Sequence, residues 1–183
     1  MARPYQPSLL RLVHGGTALL VAATWFSGLL IYSHYDGRWG RLGWQPPGDW
    51  IDLHGSAGVV LLPLALVLAL YAFTLGRRQL NRIGNALPLA ALALAIGSGK
   101  LMQEDWLRDG ELHHLIYSLH LLSWLLITFT LLWHLGAALR RGGWPLISSM
   151  LSLRLQARDR PQHWPGQLGS WLGRWLDRGG PQP

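Results

Sequence analysis

Apolar residues fall into four long blocks, and the gaps in charge mark those blocks sharply. No Lys, Arg, Asp or Glu occurs within Leu12–Tyr35, Leu53–Gly76, Ile83–Gly99 or Leu112–Leu139. A helix rises about 1.5 Å per residue, so a hydrocarbon layer about 30 Å thick takes roughly 20 residues. Each block predicts a membrane-spanning helix, the third being the shortest. The fold class expected is all-α, an integral membrane four-helix bundle. Composition agrees, with 50% hydrophobic and only 14% charged residues.

The polar segments between the blocks carry the orientation. The amino-terminal segment, the second connection and the tail after Leu139 hold Arg3, Arg11, Arg77, Arg78, Arg82, Arg140, Arg141, Arg154, Arg158, Arg160, Arg174 and Arg178, against only Asp159 and Asp177. The other two connections are net acidic, with Arg38, Arg41, Lys100 and Arg108 outnumbered by Asp and Glu. Cytoplasmic loops of membrane proteins are enriched in Lys and Arg. The expectation is a multi-pass protein of the cell inner (plasma) membrane with both termini cytoplasmic. The net charge of +7 is explained by these flanks, so nucleic acid is not an expected partner and lipid is. The domain division expected is 1–141 for the spans and 142–183 for a basic cytoplasmic tail. In that tail Trp164, Leu168, Trp171, Leu172 and Trp175 recur at three- and four-residue steps, as in an amphipathic helix lying on the inner membrane surface.

Histidines change the picture. An unpartnered imidazole in hydrocarbon costs a few kcal/mol, so intramembrane histidines usually have a role. His120 and His134 share the fourth block. Fourteen residues fall about 40° short of four full helical circles and rise about 21 Å, so the two share one face at two depths. With the topology read from charge, His14 on the first block lies at the depth of His134. His54, at the start of the second block, lies at the depth of His120. His113 is on the same stripe nearer the water boundary and is the substitute for His120. His114, His34 and His163 read as interfacial polar residues.

Two imidazoles facing each other in a dry bundle suit a haem iron, which takes its other four donors from the porphyrin. Zinc or copper would want further Cys, Asp or Glu donors at those depths, and the blocks have none. The chain has no cysteine, which excludes thiolate clusters and covalent c-type attachment. The expectation is two non-covalent haem b groups in the bundle core, each held by two histidines: His14 with His134, and His54 with His120. Small residues beside the ligands, including Gly16 and Gly58, would let a flat macrocycle approach, although they also serve close helix packing. Trp124, Ile127 and Leu131 lie between the two levels on the fourth block. Arg11, Arg140 and Arg141 are placed for propionates at one level, and Lys100 and Arg38 at the other.

The segments RLVHGGTALL, DLHGSAG and IYSLHLLSWLLITFTLLWHLGAAL resemble the bacterial cytochrome b-561 family, related to the cytochrome b subunits of nickel–iron hydrogenases and formate dehydrogenases. The resemblance covers about residues 8–141. It implies a four-span protein whose first, second and fourth helices ligate two b-type haems. By position the ligands are again His14 with His134 and His54 with His120.

Two haems near opposite surfaces would carry single electrons across the membrane. The chain has no Gly-rich dinucleotide motif, so electrons must pass through a small redox molecule or a partner protein. One reading is a carrier between quinone and a partner: a peripheral dehydrogenase, a hydrogenase-type protein or a soluble cytochrome. A second is a self-contained quinone oxidoreductase with an outer small donor such as superoxide, which the resemblance includes. The acidic outer loops argue against steering that anion. A third is a haem-free, histidine-lined transporter. A quinone site is expected at the outer level, with Lys100, Glu104 and Asp105 handling charge and protons. A second copy of the chain is a further expected partner.

Overall fold

The computed structural model describes residues 6–104, 110–152 and 154–176. Five helices build the membrane body and its connections: α1 (Ser8–Tyr35), α2 (Trp50–Phe73), a single turn α3 (Arg77–Leu80), α4 (Ile83–Leu101) and α5 (Glu111–Leu151). Two 3₁₀ turns, Ala157–Asp159 and Pro161–His163, lead into α6 (Trp164–Leu176). The described residues contain no strand. Helices α1, α2, α4 and α5 are each long and apolar enough to cross a membrane. Each contains one of the four charge-free blocks in whole or nearly so.

Local chemistry sets the helix ends. Asp49 precedes α2, and its carboxylate accepts from the Asp52 backbone N–H at 2.9 Å, which caps the first turn. Proline lies inside α2 (Pro63) and α4 (Pro88), where the surrounding bundle tolerates the missing backbone donor. Helix α5 departs from expectation. It runs a little past Leu139 to a kink at Gly143, whose φ of 60° favours a residue without Cβ, and a further helical stretch reaches Leu151. Gly143, with ψ of −159° as well, is not helical, so two helices meet there at a kink and Pro145 opens the second. The kink lies two residues after the expected division at 141/142.

The chain packs as two antiparallel hairpins, α1 along α2 and α4 along α5, which meet each other over a smaller area. Val21, Leu61, Ala65 and Leu92 form the buried centre, with Leu20, Ile96 and Ile127 packed around them. Outside that centre, large apolar side chains face away from the bundle: Leu19 is 71% exposed, Phe129 67% and Leu132 64%. Such a surface fits lipid rather than water. The two ends of the bundle differ. One carries the α1–α2 and α4–α5 connections and is called here the loop end. The other carries the start of α1, the α2–α4 connection and the tail, and is called the terminus end.

Candidate haem sites

At the loop end His54 in the first turns of α2 faces His120 of α5, with ring centroids 6.0 Å apart and planes at 85°. Each ring is seated by the other helix of its own hairpin. His54 Nδ1 lies 3.1 Å from Ser27 Oγ on α1, and His120 Nδ1 lies 3.0 Å from Ser98 Oγ on α4. A hydroxyl has one proton to give. Ser27 gives it to the Ala23 carbonyl (2.8 Å) and Ser98 to the Leu94 carbonyl (2.7 Å). The serine oxygens must then accept from Nδ1–H, which leaves the Nε2 lone pair of each histidine available as a ligand.

The residue after each serine is a glycine, and the imidazole lies close against it. A Cβ on Gly28 would stand 3.2 Å from His54 Cε1, and one on Gly99 would stand 3.2 Å from His120 Cε1. The same Ser-Gly pair thus seats one imidazole from α1 and one from α4.

At the terminus end His14 of α1 faces His134 of α5, with centroids 6.2 Å apart and planes at 35°. His134 Nδ1 donates to the Gly84 carbonyl at 2.8 Å, an oxygen that can only accept, so Nε2 is again the free nitrogen. Glycine at position 84 lets the α4 backbone reach α5. A Cβ there would meet Ala137 at 3.1 Å and Trp133 at 3.3 Å.

Both spacings fit one metal atom held between the rings. With a metal–nitrogen bond of about 2 Å and about 1 Å more to each ring centre, two imidazoles on one ion have centroids roughly 6 Å apart. Among the described residues no group of three or more His, Cys, Asp or Glu side chains could hold an ion. The donor set of each site is therefore two imidazoles, which suits a cofactor that brings the remaining ligands.

A cavity of about 320 Å³ opens beside the loop-end pair. His54, His120, Gly58, Trp124, Lys100 and Gln103 are among its walls. Trp25 also lines it and stacks on Trp124 at 5.1 Å and 17°, and each indole N–H is used: Trp124 donates to the Trp25 carbonyl and Trp25 to Thr128 Oγ1. Trp124 thus stands between the two levels, and Ile127 packs in the core. Leu131 is 37% exposed and sits at the bundle surface.

The other expected residues fall into distinct places. A Cβ on Gly58 would meet nothing within 4 Å, consistent with open space at the cavity, whereas one on Gly16 would press on Leu64 at 3.2 Å. Gly16 therefore serves the packing of α1 on α2. Lys100 lines the cavity and pairs with Glu104 at 3.2 Å. Asp105 lies outside the described residues, as does Arg108. Arg140 is exposed on α5, six residues beyond His134. Arg11 is placed otherwise than expected: it is buried, with its guanidinium directed at the Ser152 and Arg154 carbonyls of the tail. Arg38 pairs with Asp36 at 2.9 Å and lies over the Tyr117 ring, whose hydroxyl donates to Asp36 at 2.8 Å. The Arg38 guanidinium, seconded by Tyr117, holds the Asp36 carboxyl below the usual carboxylate range. His113 stands against His114 and His34 against Gln45, so neither takes the place of His120 opposite His54. Ser27, Gly28 and Gly84 were not among the expected site residues. The repeated Ser-Gly pair at matching depth on α1 and α4 was the available signal for the first two.

The family model of prokaryotic cytochrome b561 matches residues 5–153. No similar chain was found among the curated proteins or the solved structures.

Proposed function

Since the chain belongs to the prokaryotic cytochrome b561 family, a family of membrane electron carriers with b-type haem, we propose that it holds two haems and moves single electrons between them across the bilayer. His14 and His134 would hold one, and His54 and His120 the other. The observation that carries this reading is the pair of imidazole spacings, 6.2 and 6.0 Å, with Nδ1 of three of the four rings already engaged. A bound haem supplies reversible one-electron chemistry at its iron.

The residues of the chain would do the rest. Ser27, Ser98 and the Gly84 carbonyl hold the ring nitrogens that are not used for ligation, and such contacts raise ligand basicity. The stacked Trp25 and Trp124 keep water from the space between the levels. Lys100 and Arg140 are the cations placed for propionates at the loop and terminus ends. By the distribution of Arg, the terminus end faces the cytoplasm of a bacterial plasma membrane and the loop end faces out. Quinone would react beside the loop-end pair, with Lys100, Glu104 and Asp105 handling charge and protons. A peripheral dehydrogenase, a hydrogenase-type protein or a soluble cytochrome would exchange electrons with the carrier. A superoxide donor would need unengaged cations at the loop end, where Arg38 is paired with Asp36 and Lys100 with Glu104.

The test is reduction of the reconstituted protein by a quinol, followed through the haem absorption bands. His54→Ala is expected to slow reduction far more than His14→Ala. Equal rates in the two variants would move the quinone away from the loop end. A colourless, folded protein made with ample haem would end the electron-transfer reading.

A further inference from the structure

The tail returns to the first turn of α1 and is bonded to it there. Pro7 precedes α1 and makes no side-chain cap. The capping role falls to Asp159, 151 positions away: its carboxylate accepts from the Ser8 backbone N–H at 2.5 Å and its carbonyl accepts from Ser8 Oγ at 2.7 Å. A carboxylate at a helix N-terminus satisfies a free backbone donor and faces the positive end of the helix dipole. Gln167 Nε2 donates to the other carboxylate oxygen at 3.4 Å, and Trp164 Nε1 donates to Ser8 Oγ at 2.9 Å. Ser8, Arg11 and Asp159 are 5%, 6% and 4% exposed, so the junction is dry. Trp171 of α6 is 3% exposed, packing with Leu9 and Val13 and against the Tyr71 ring of α2 at 5.2 Å.

Arg11 joins this junction to the terminus-end histidines. It lies one turn before His14 on α1. Its guanidinium donates to the carbonyls of Ser152 and Arg154, at the start of the tail and beyond the Gly143 kink that follows the His134 stretch of α5. One side chain therefore ties the first turn of α1, next to His14, to the tail, and α1 and α5 touch over only a short length. Fixing Arg11 fixes the depth and rotation of the next turn, which is the turn of His14.

We propose that the tail, through Asp159 and α6, forms a latch that positions His14 against His134, with Arg11 and Asp159 as its positioning residues. The loop-end pair is independent of it. This rests on the reading of both pairs as haem sites. Arg11 suits the task because a planar guanidinium can serve two carbonyls at once in fixed directions, which a lysine ammonium on a flexible stem cannot reproduce.

The test uses two backgrounds of the full chain. His54→Ala should retain only the terminus-end haem, and His14→Ala only the loop-end haem. Asp159→Asn and Arg11→Lys are introduced into each, and haem content and midpoint potential are measured by redox titration. In the His54→Ala background both changes are expected to lower haem content and shift the potential of what remains. In the His14→Ala background neither quantity should move. Arg11→Lys keeps the charge, so a shift there reports the lost two-carbonyl geometry and not an altered net charge. Should a variant fail to accumulate, Gln167→Ala, which removes one hydrogen bond to Asp159, is expected to give a smaller shift of the same selectivity. Unchanged potentials and haem content in the His54→Ala background, or equal changes in both backgrounds, would overturn the latch. Failure of the single-histidine backgrounds to keep one haem each would overturn the haem reading itself, and the latch with it.

Discussion

The two imidazole pairs have almost the same spacing and are held in different ways. At the loop end each histidine leans on a serine of the neighbouring helix in its own hairpin, 27 residues away for His54 and 22 for His120. At the terminus end His134 also leans on its own hairpin, on the α4 carbonyl of Gly84, 50 residues away, whereas Arg11, one turn before His14, reaches carbonyls 141 and 143 residues away. Contacts between distant residues close long loops and depend on the whole chain being in place. Both loop-end rings and His134 are seated within their own hairpins, whereas the turn that carries His14 is tied to the tail. Damage at the loop end should stay there, and damage to the tail should be felt at the other end.

The largest effect that would sharpen this contrast comes from the glycines beside the loop-end rings. Gly28→Val or Gly99→Val would drive a branched side chain into an imidazole edge already 3.2 Å from a single Cβ. Overpacking of this kind costs about 1–3 kcal/mol, enough to displace a ligand. Pyridine haemochrome assay of the purified variants is expected to show the loop-end haem lost and the other kept. Retention of both haems at full occupancy would show that the rings have room the structure does not display.

A smaller effect is expected from the hydroxyls. Ser27→Ala and Ser98→Ala remove the acceptor that holds each ring by Nδ1–H. Loss of such an outer contact typically lowers metal affinity about 10–100-fold. Competition with a haem-binding apoprotein should show faster haem loss from one site, and the two variants should match, because the two serines make the same contact. A strong effect of one and none of the other would break the likeness between the hairpins.

The smallest effect belongs to Asp36 at the loop-end surface. Its carboxyl titrates below the usual range because the Arg38 guanidinium bonds to it, with Tyr117 as a second donor. Stability from this contact is therefore present above the unfolded carboxyl value of about 3.9 and fades as pH falls through the lower folded value. Thermal melting of the detergent-purified protein should differ slightly between wild type and Asp36→Asn from pH 5 to 8 as chosen test values, with the difference shrinking below about pH 4. A difference that grows on acidification would assign the contact the wrong sign.

How far each feature could be read from sequence follows from its range. The four spans were legible because hydrocarbon forbids charge, and the charge-free blocks mark α1, α2, α4 and α5 directly. The histidine partners were legible because depth in the membrane can be counted along a helix, and the structure brings His14 to His134 and His54 to His120. The partners of the other ring nitrogens were harder. A serine inside a helix ordinarily bonds its own preceding turn, as Ser27 and Ser98 also do, so its second contact leaves no mark in the pattern. The Gly84 carbonyl is backbone and has no side-chain signature. Arg11 was read as a cation for a propionate because it lies near His14, and nothing local to it points to carbonyls at the far end of the chain. In sequence Asp159 is simply one of two acids, with Asp177, in a basic tail. Its role appears only once α1 and the tail are side by side.

The account depends most on the pairing of four histidines into two sites, and redox titration of the four single His→Ala variants tests that directly. His14→Ala and His134→Ala should each hold one haem and give the same midpoint potential and the same low-spin spectrum. His54→Ala and His120→Ala should form a second matching set with a different potential. Four distinct behaviours, a crossed pairing, or a variant that keeps both haems would contradict the account.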